Sequence, residues 1–123
     1  MNIHESGENY LETILLLKKR NGSVRSIDIA NELEYTKPSI SRAMGILKKS
    51  GYIVIDKSGN ISLTELGEKV SNEIYERHKL ITQFLVSTLG VDENIASKDA
   101  CRIEHVISSE CFEKVKEYIA KNS

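Results

Sequence analysis

The chain has only two cysteines and one proline in 123 residues, and it lacks any apolar run that could cross a membrane. A spanning helix needs about 20 consecutive apolar residues, whereas the longest run near the N-terminus is Ile14 to Leu17. His4, Glu5 and Glu8 interrupt any hydrophobic stretch of the kind that opens a secreted chain. No leader segment is therefore expected, and the cytoplasm is the expected compartment. There, two cysteines read as thiols rather than as a structural disulfide. Internal repeats and low-complexity segments are also missing, and 40% apolar with 28% charged residues exclude a disordered chain. What remains is one globular unit or two small lobes sharing a core.

A large excess of positive charge is missing as well, since the formal net charge is −1. That total argues against a nucleic-acid partner, but the distribution reverses it. From Lys18 to Lys57 nine Lys/Arg face four Asp/Glu, while the remaining residues hold eight against fourteen. A basic lobe joined to an acidic one suits a nucleic-acid surface coupled to carboxylates that hold a metal or a charged partner.

The stretch from Thr36 to Gly51 carries the strongest local signal. Ile40, Ala43, Met44 and Leu47 recur at the spacing of one buried helical stripe. Pro38 sits in the first turn, where a missing N–H costs least, and Thr36 before it is a cap. Gly51 is suited to the left-handed residue that ends many helices. The opposite side presents Pro38, Arg42, Gly45 and Lys49, flanked by Ser39, Ser41 and Lys48. Such a front suits a DNA major groove: Arg pairs with guanine edges, Ser and Lys meet phosphates, and Gly45 allows close approach. An ordinary amphipathic surface helix would show the same stripe, so the neighbours decide.

Before it, residues 7–20 read as a helix with Tyr10, Leu11, Ile14, Leu15 and Leu17 toward a core. Leu16 falls on the other side, near Asn9 and Glu12. Asn21-Gly22 signals a turn, and Ser26 reads as the cap of a second helix, Ile27 to Leu33. After Gly51, Tyr52–Ile55 and Ile61–Leu63 are β-prone and joined by Asp56-Lys57-Ser58-Gly59-Asn60, which is turn chemistry. Helix, turn, basic helix and hairpin make a winged helix-turn-helix. Its expected DNA-contacting residues are Arg25, Thr36, Lys37, Pro38, Ser39, Ser41, Arg42, Lys48 and Lys49, with Lys57 and Ser58 at the wing tip. The fold class is thus mainly α, with a winged helix over residues 1–63 and a helical domain over 64–123.

In that second part Thr64 caps a long helix to about Thr88, with Leu66, Val70, Ile74, Ile81, Phe84 and Leu85 as its stripe. His78 shares this stripe. Val91 to Ile95 is expected as a short helix with Asp92 near its cap, followed by helices over Asp99–Ser108 and Glu110–Lys121, the last capped by Ser109. Along Asp99–Ser108 the apolar face is Ala100, Ile103, Val106 and Ile107. The other face collects Cys101, Glu104, His105 and Ser108, at i, i+3, i+4 and i+7. A thiolate, a carboxylate and an imidazole projecting together from one helix are competent to bind a metal. A solvated polar face is the plain alternative, but a free thiol belongs to the most buried class of side chains. Cys111 falls with Phe112, Val115 and Ile119 and is expected in the core.

The segments ENYLETI (Glu8–Ile14), TKPSIS (Thr36–Ser41), LTELG (Leu63–Gly67), ERHKL (Glu76–Leu80) and DACRIEHVIS (Asp99–Ser108) resemble the DtxR/MntR family of metal-dependent transcriptional repressors. The likeness covers nearly the whole chain, and since the sequence stops at Ser123 it resembles the short, two-domain form. The resemblance implies a homodimer with an N-terminal winged helix and a helical metal-binding and dimerisation domain. It implies metal ligands at Asn9, Glu12, His78, Cys101, Glu104 and His105, and repression of metal-uptake genes through a palindromic operator. Cys101 and the DACRIEHVIS run are similar to the iron-responsive branch, whose methionine position is Asn9 here. Glu12 is similar to the manganese-responsive branch. Thr82 and Ser97 stand where an ancillary site usually has Glu and His, so a second site of that type is incomplete. A thiolate favours Fe(II) over Mn(II), with Co(II), Ni(II) and Zn(II) expected to bind in vitro.

Two readings compete. A metal-independent winged-helix regulator would respond to a small organic ligand or to oxidation of Cys101. A small helical metalloenzyme would need an open coordination position and a general base, and no separate base stands beside these candidates. The expectation is therefore a regulator, not an enzyme.

Overall fold

Helix ends are fixed by local chemistry. In the computed structural model, which describes residues 5–122, Thr36 has extended backbone and its Oγ1 accepts from the Ser39 N–H at 3.3 Å. Helix α3 (Lys37–Lys49) follows, with Pro38 in its first turn, and Gly51 takes φ +88° just beyond its end. Helices α1 (Glu5–Asn21) and α2 (Ser26–Leu33) precede it. Strands β1 (Ile53–Ile55) and β2 (Ile61–Leu63) form an antiparallel hairpin pairing Ile53 with Leu63 and Ile55 with Ile61. Helices α4 (Glu65–Leu89), α5 (Glu93–Val106) and α6 (Ser109–Asn122) complete the chain. His4, used above against a leader segment, lies outside the described residues.

The chain divides into two compact units, Met1–Asn72 and Glu73–Ser123. In the first, Leu11, Ile14, Leu17, Val24, Ile29, Ile40, Met44 and Ile53 belong to one buried cluster fed by α1, α2, α3 and the hairpin. Burying such side chains contributes about 1.5–3 kcal/mol each relative to leaving them in water. Gly67 is obligatory in this unit, because a β-carbon there would collide with the Tyr52 carbonyl oxygen. Ser71 Oγ donates to the Gly67 and Leu11 carbonyls, at 2.7 and 3.2 Å. In the second unit Ile74, Ile81, Ala96, Ala100, Val115 and Ile119 are buried, and Phe84 meets Tyr118 edge-on at 5.3 Å.

Several local expectations change. Arg25, not Ser26, is the cap residue of α2; its N–H donates to Asp28 Oδ2 at 2.9 Å, so the acid closes the helix end. The two short helices expected at Val91–Ile95 and Asp99–Ser108 are the single helix α5, capped by Asp92, because Ala96-Ser97-Lys98 contains no helix breaker. Ser108, not Ser109, caps α6, its Oγ accepting from the Cys111 N–H at 3.0 Å. Leu66 is 45% exposed and the buried line of α4 starts instead at Gly67 and Ser71. Cys111 is exposed rather than in the core: it lies in the first turn of α6, and the buried residues of that helix, Val115 and Ile119, come only in later turns.

Candidate metal centre and nucleic-acid interface

The buried side of α5 runs through Ala96, Ala100 and Glu104, one turn apart. Its nominally polar face is therefore turned inward at Glu104, while Val106, expected in the core, is 64% exposed. Cys101 and His105 flank Glu104 and are partly buried. One ligand atom from each of Cys101, Glu104 and His105 lies within 4.8 Å of the others. His78 reaches the same carboxylate from α4, its Nδ1 standing 3.1 Å from Glu104 Oε2. On the other side His105 Nε2 lies 3.3 Å from Glu104 Oε1. That contact is within ion-pair distance but lacks hydrogen-bond geometry, and Oε1 finds no donor among the described residues.

A fully buried carboxylate with one unsatisfied oxygen is costly, and two imidazoles and a thiol beside it make the donor set a transition metal takes. These residues fit such an ion. The outer contacts also hold the set in place: Arg77 Nη1 donates to the Glu104 carbonyl at 3.0 Å, and its guanidinium lies 5.7 Å from the centre of the Phe112 ring.

Thr82 and Ser97, the positions where the resemblance led to an expectation of an incomplete ancillary set, both lie beside His78. Ser97 Oγ stands 3.1 Å from His78 Nε2, and Thr82 Oγ1 donates to the His78 carbonyl at 2.7 Å. Both hydroxyls thus serve His78, whose two ring nitrogens have partners in Glu104 and Ser97. In the first unit, Glu12 is only 5% exposed and Asn9 is half-buried, with its carbonyl accepting from Thr13 Oγ1 at 2.8 Å.

The expected DNA-facing residues of α3 all lie on its exposed side: Lys37, Pro38, Ser39, Ser41, Arg42, Lys48 and Lys49. The Thr36 hydroxyl is committed to the cap and donates to Ser39 Oγ at 2.9 Å. Lys57 and Ser58 are exposed at the hairpin tip. There Asp56 Oδ1 accepts from the Ser58 and Asn60 N–H groups, both at 2.9 Å. The Asn60 N–H first, then the Asn60 side chain and the neighbouring amides, hold the Asp56 carboxyl below its ordinary value of 3.8 despite the opposing effect of burial. Arg25 is exposed and its guanidinium lies beside Gly59. One residue of this surface was missed: Ile46, 61% exposed on the same helix. Its angular position one turn after Arg42 was available in the sequence, but its apolar type hid it.

Residues 2–61 match the model of the iron dependent repressor N-terminal DNA binding domain. Residues 64–122 match that of the iron dependent repressor metal binding and dimerisation domain. An uncharacterised HTH-type transcriptional regulator of Methanocaldococcus jannaschii is 35% identical over 118 residues, 95% of this chain and 94% of its own length. The HTH-type transcriptional regulator MntR of Lysinibacillus sphaericus is 34% identical over 114 residues, 93% of this chain and 81% of its own length. The solved structure of IdeR from T. acidophilum superposes with a TM-score of 0.83 at 22% identity, covering 98% of this chain and 55% of that one. At that identity it shows the shared fold, and this chain spans about half the length of that protein. Both halves of the sequence and its relatives along nearly their whole length agree: the chain belongs to the DtxR/MntR family of metal-dependent transcriptional regulators.

Proposed function

We propose that this regulator responds to Fe(II), and next to Mn(II), and in the metal-loaded form binds a palindromic operator as a homodimer to repress metal-uptake genes in the cytoplasm. The observation that supports this most is Glu104, wholly buried between two imidazoles and a thiol with one oxygen lacking a donor among the described residues. The proposed ligands are Cys101, Glu104, His105 and His78, joined by Asn9 and Glu12 as the family resemblance implies. The Cys101 thiolate favours Fe(II) over the harder Mn(II); Co(II), Ni(II) and Zn(II) bind in vitro because affinity order and biological choice differ. A bound ion supplies the positive charge that lets acidic ligands sit together.

Residues 1–63 form the DNA-binding part and 64–123 the metal-binding and dimerisation part in this reading. Two recognition helices in a dimer must meet major grooves about 34 Å apart. Ligands on α1 as well as on α4 and α5 couple occupancy of the site to the position of the α1–α3 unit. An unliganded protein spends binding energy on ordering before it docks, and ligation removes that loss. By reciprocity, operator DNA tightens metal binding by the same factor. Arg42 reads a guanine edge from α3. Lys37, Ser39, Ser41, Lys48 and Lys49 meet phosphates, as do Arg25, Lys57 and Ser58 nearer the wing.

The test is a DNA-binding titration on a palindromic duplex with and without anaerobic Fe(II) or Mn(II), repeated for Cys101→Ala. Metal-stimulated binding that Cys101→Ala largely removes, in a protein that stays folded, supports the reading. Binding insensitive to chelator would favour a regulator that senses something other than a metal.

A further inference from the structure

Helix α3 makes two choices that the fold does not ask for. Gly45 is the ninth of its thirteen residues, where glycine weakens a helix relative to alanine. A β-carbon at that position would meet nothing within 4 Å, so no neighbour in the protein requires its absence. Beside it stands Ile46, at 61% the most exposed large apolar residue described in the first unit. A lone exposed isoleucine is ordinary on a protein surface and alone says nothing. What distinguishes this one is its setting, beside an unexplained glycine and on a face otherwise made of Lys, Pro, Ser and Arg. Local rules broken together without a structural gain mark a working surface.

Geometry narrows the partner. Ile46 follows Arg42 by four residues, which places it about 6 Å further along the helix axis and about 40° around it. A side chain so placed addresses a base step next to the one Arg42 meets. Among the base edges in the major groove, the thymine C5-methyl is the one apolar group that projects like a side chain, while most others are hydrogen-bond donors and acceptors.

Given the reading that α3 lies in the major groove, we propose that Ile46 is a specificity-determining residue that reads a thymine methyl beside the guanine read by Arg42. Gly45 lets the helix come close enough for that contact. The chemistry recognised is therefore a guanine neighbour bearing a 5-methylpyrimidine, in each half-site.

The experiment starts by enriching duplexes from a randomised pool on the metal-loaded protein. Thymines of the enriched duplex are then replaced one at a time by deoxyuridine, which removes only the methyl. One position per half-site loses about fourfold in affinity, the value of one buried methyl-sized group. In Ile46→Ala that penalty vanishes, while penalties at other positions persist and off-DNA metal affinity is unchanged. Gly45→Ala raises the melting temperature and yet weakens binding to every duplex. Deoxyuridine penalties that are absent in the native protein, or that are identical in Ile46→Ala, overturn the methyl readout while leaving the regulator reading intact. Gly45→Ala that binds like the native protein overturns the close-approach role. Failure of the metal-loaded protein to enrich any sequence overturns the groove reading and this inference with it.

Discussion

The two compact units bury different chemistry. The first closes on a dry cluster of apolar side chains, and two hydroxyls that go inside, Thr13 and Ser71, each donate to backbone carbonyls. Glu12 is the exception there, a carboxylate only 5% exposed. The second unit has Glu104 as inaccessible as any leucine of the first, with one oxygen left without a donor among the described residues. The first unit buries mostly apolar side chains, whereas the second buries a carboxylate among imidazoles and a thiol, a donor set that suits a metal. Apolar burial is stabilising in any condition. A buried charge is tolerable only with its partners in place.

Removing a piece of the dry core is the largest expected effect. Leu11→Ala, in the middle of the buried cluster, should lower the unfolding free energy of the metal-free protein by about 2–5 kcal/mol, read by denaturant titration. An unchanged unfolding free energy would show that the first unit does not close on this apolar cluster. Glu104→Gln should do the opposite. Replacing a direct ligand should weaken Fe(II) binding by at least about 100-fold, the upper end of what even outer partners contribute. The metal-free protein should lose under about 1 kcal/mol or gain stability, because a poorly satisfied buried charge is removed. Calorimetric metal titration and metal-free melting read the two quantities separately. A metal-free Glu104→Gln protein that fails to fold would show that the carboxylate is structural.

Arg42→Ala comes next. It should cost at least about 1 kcal/mol of operator binding and relax the preference at one base. Metal affinity off DNA should stay unchanged, since Arg42 is exposed on α3 and is not among the proposed ligands. Intact operator preference after this change would misplace the recognition face.

Much of the first unit was legible because its signals are local. The cap at Thr36, the proline in the first turn and the left-handed Gly51 each follow from one residue's chemistry and hold in the structure. The hairpin followed from a turn sequence between two β-branched runs. In the second unit periodicity could not say which side of a helix goes inside: Ala100, read on the apolar face, and Glu104, read on the polar one, are buried in line. Periodicity places Cys101, Glu104 and His105 together, yet apolarity assigned the interior to Val106, which is exposed. Glu104 is buried because its imidazole neighbours allow it, and that depends on His78, twenty-six residues away. Val106 is the mirror image: an apolar type suggested the interior, and the helix turns it out. Cys111 erred for the same reason.

The smallest expected effect isolates the comparison to two carboxylates. Asp56, on the wing, is exposed and accepts from the Ser58 and Asn60 backbone N–H groups and from Asn60 Nδ2, at 2.9, 2.9 and 3.4 Å. Those donors favour the charged form, so its folded pKa lies below the 3.8 of an unperturbed aspartate. The sign follows: the contribution is fully present above the unfolded value and is lost as pH falls through the lower, folded one. Between pH 6 and about 4.5 the Ser58 and Asn60 amide resonances should therefore hold still, and they should shift together only at more acid pH, because ordinary carboxylates titrate near 4. Asp56→Asn should abolish that acid step and leave metal binding untouched, since an amide neither titrates nor reaches beyond the turn. A shift already complete by pH 5 would mean the turn's donors do not hold the carboxylate.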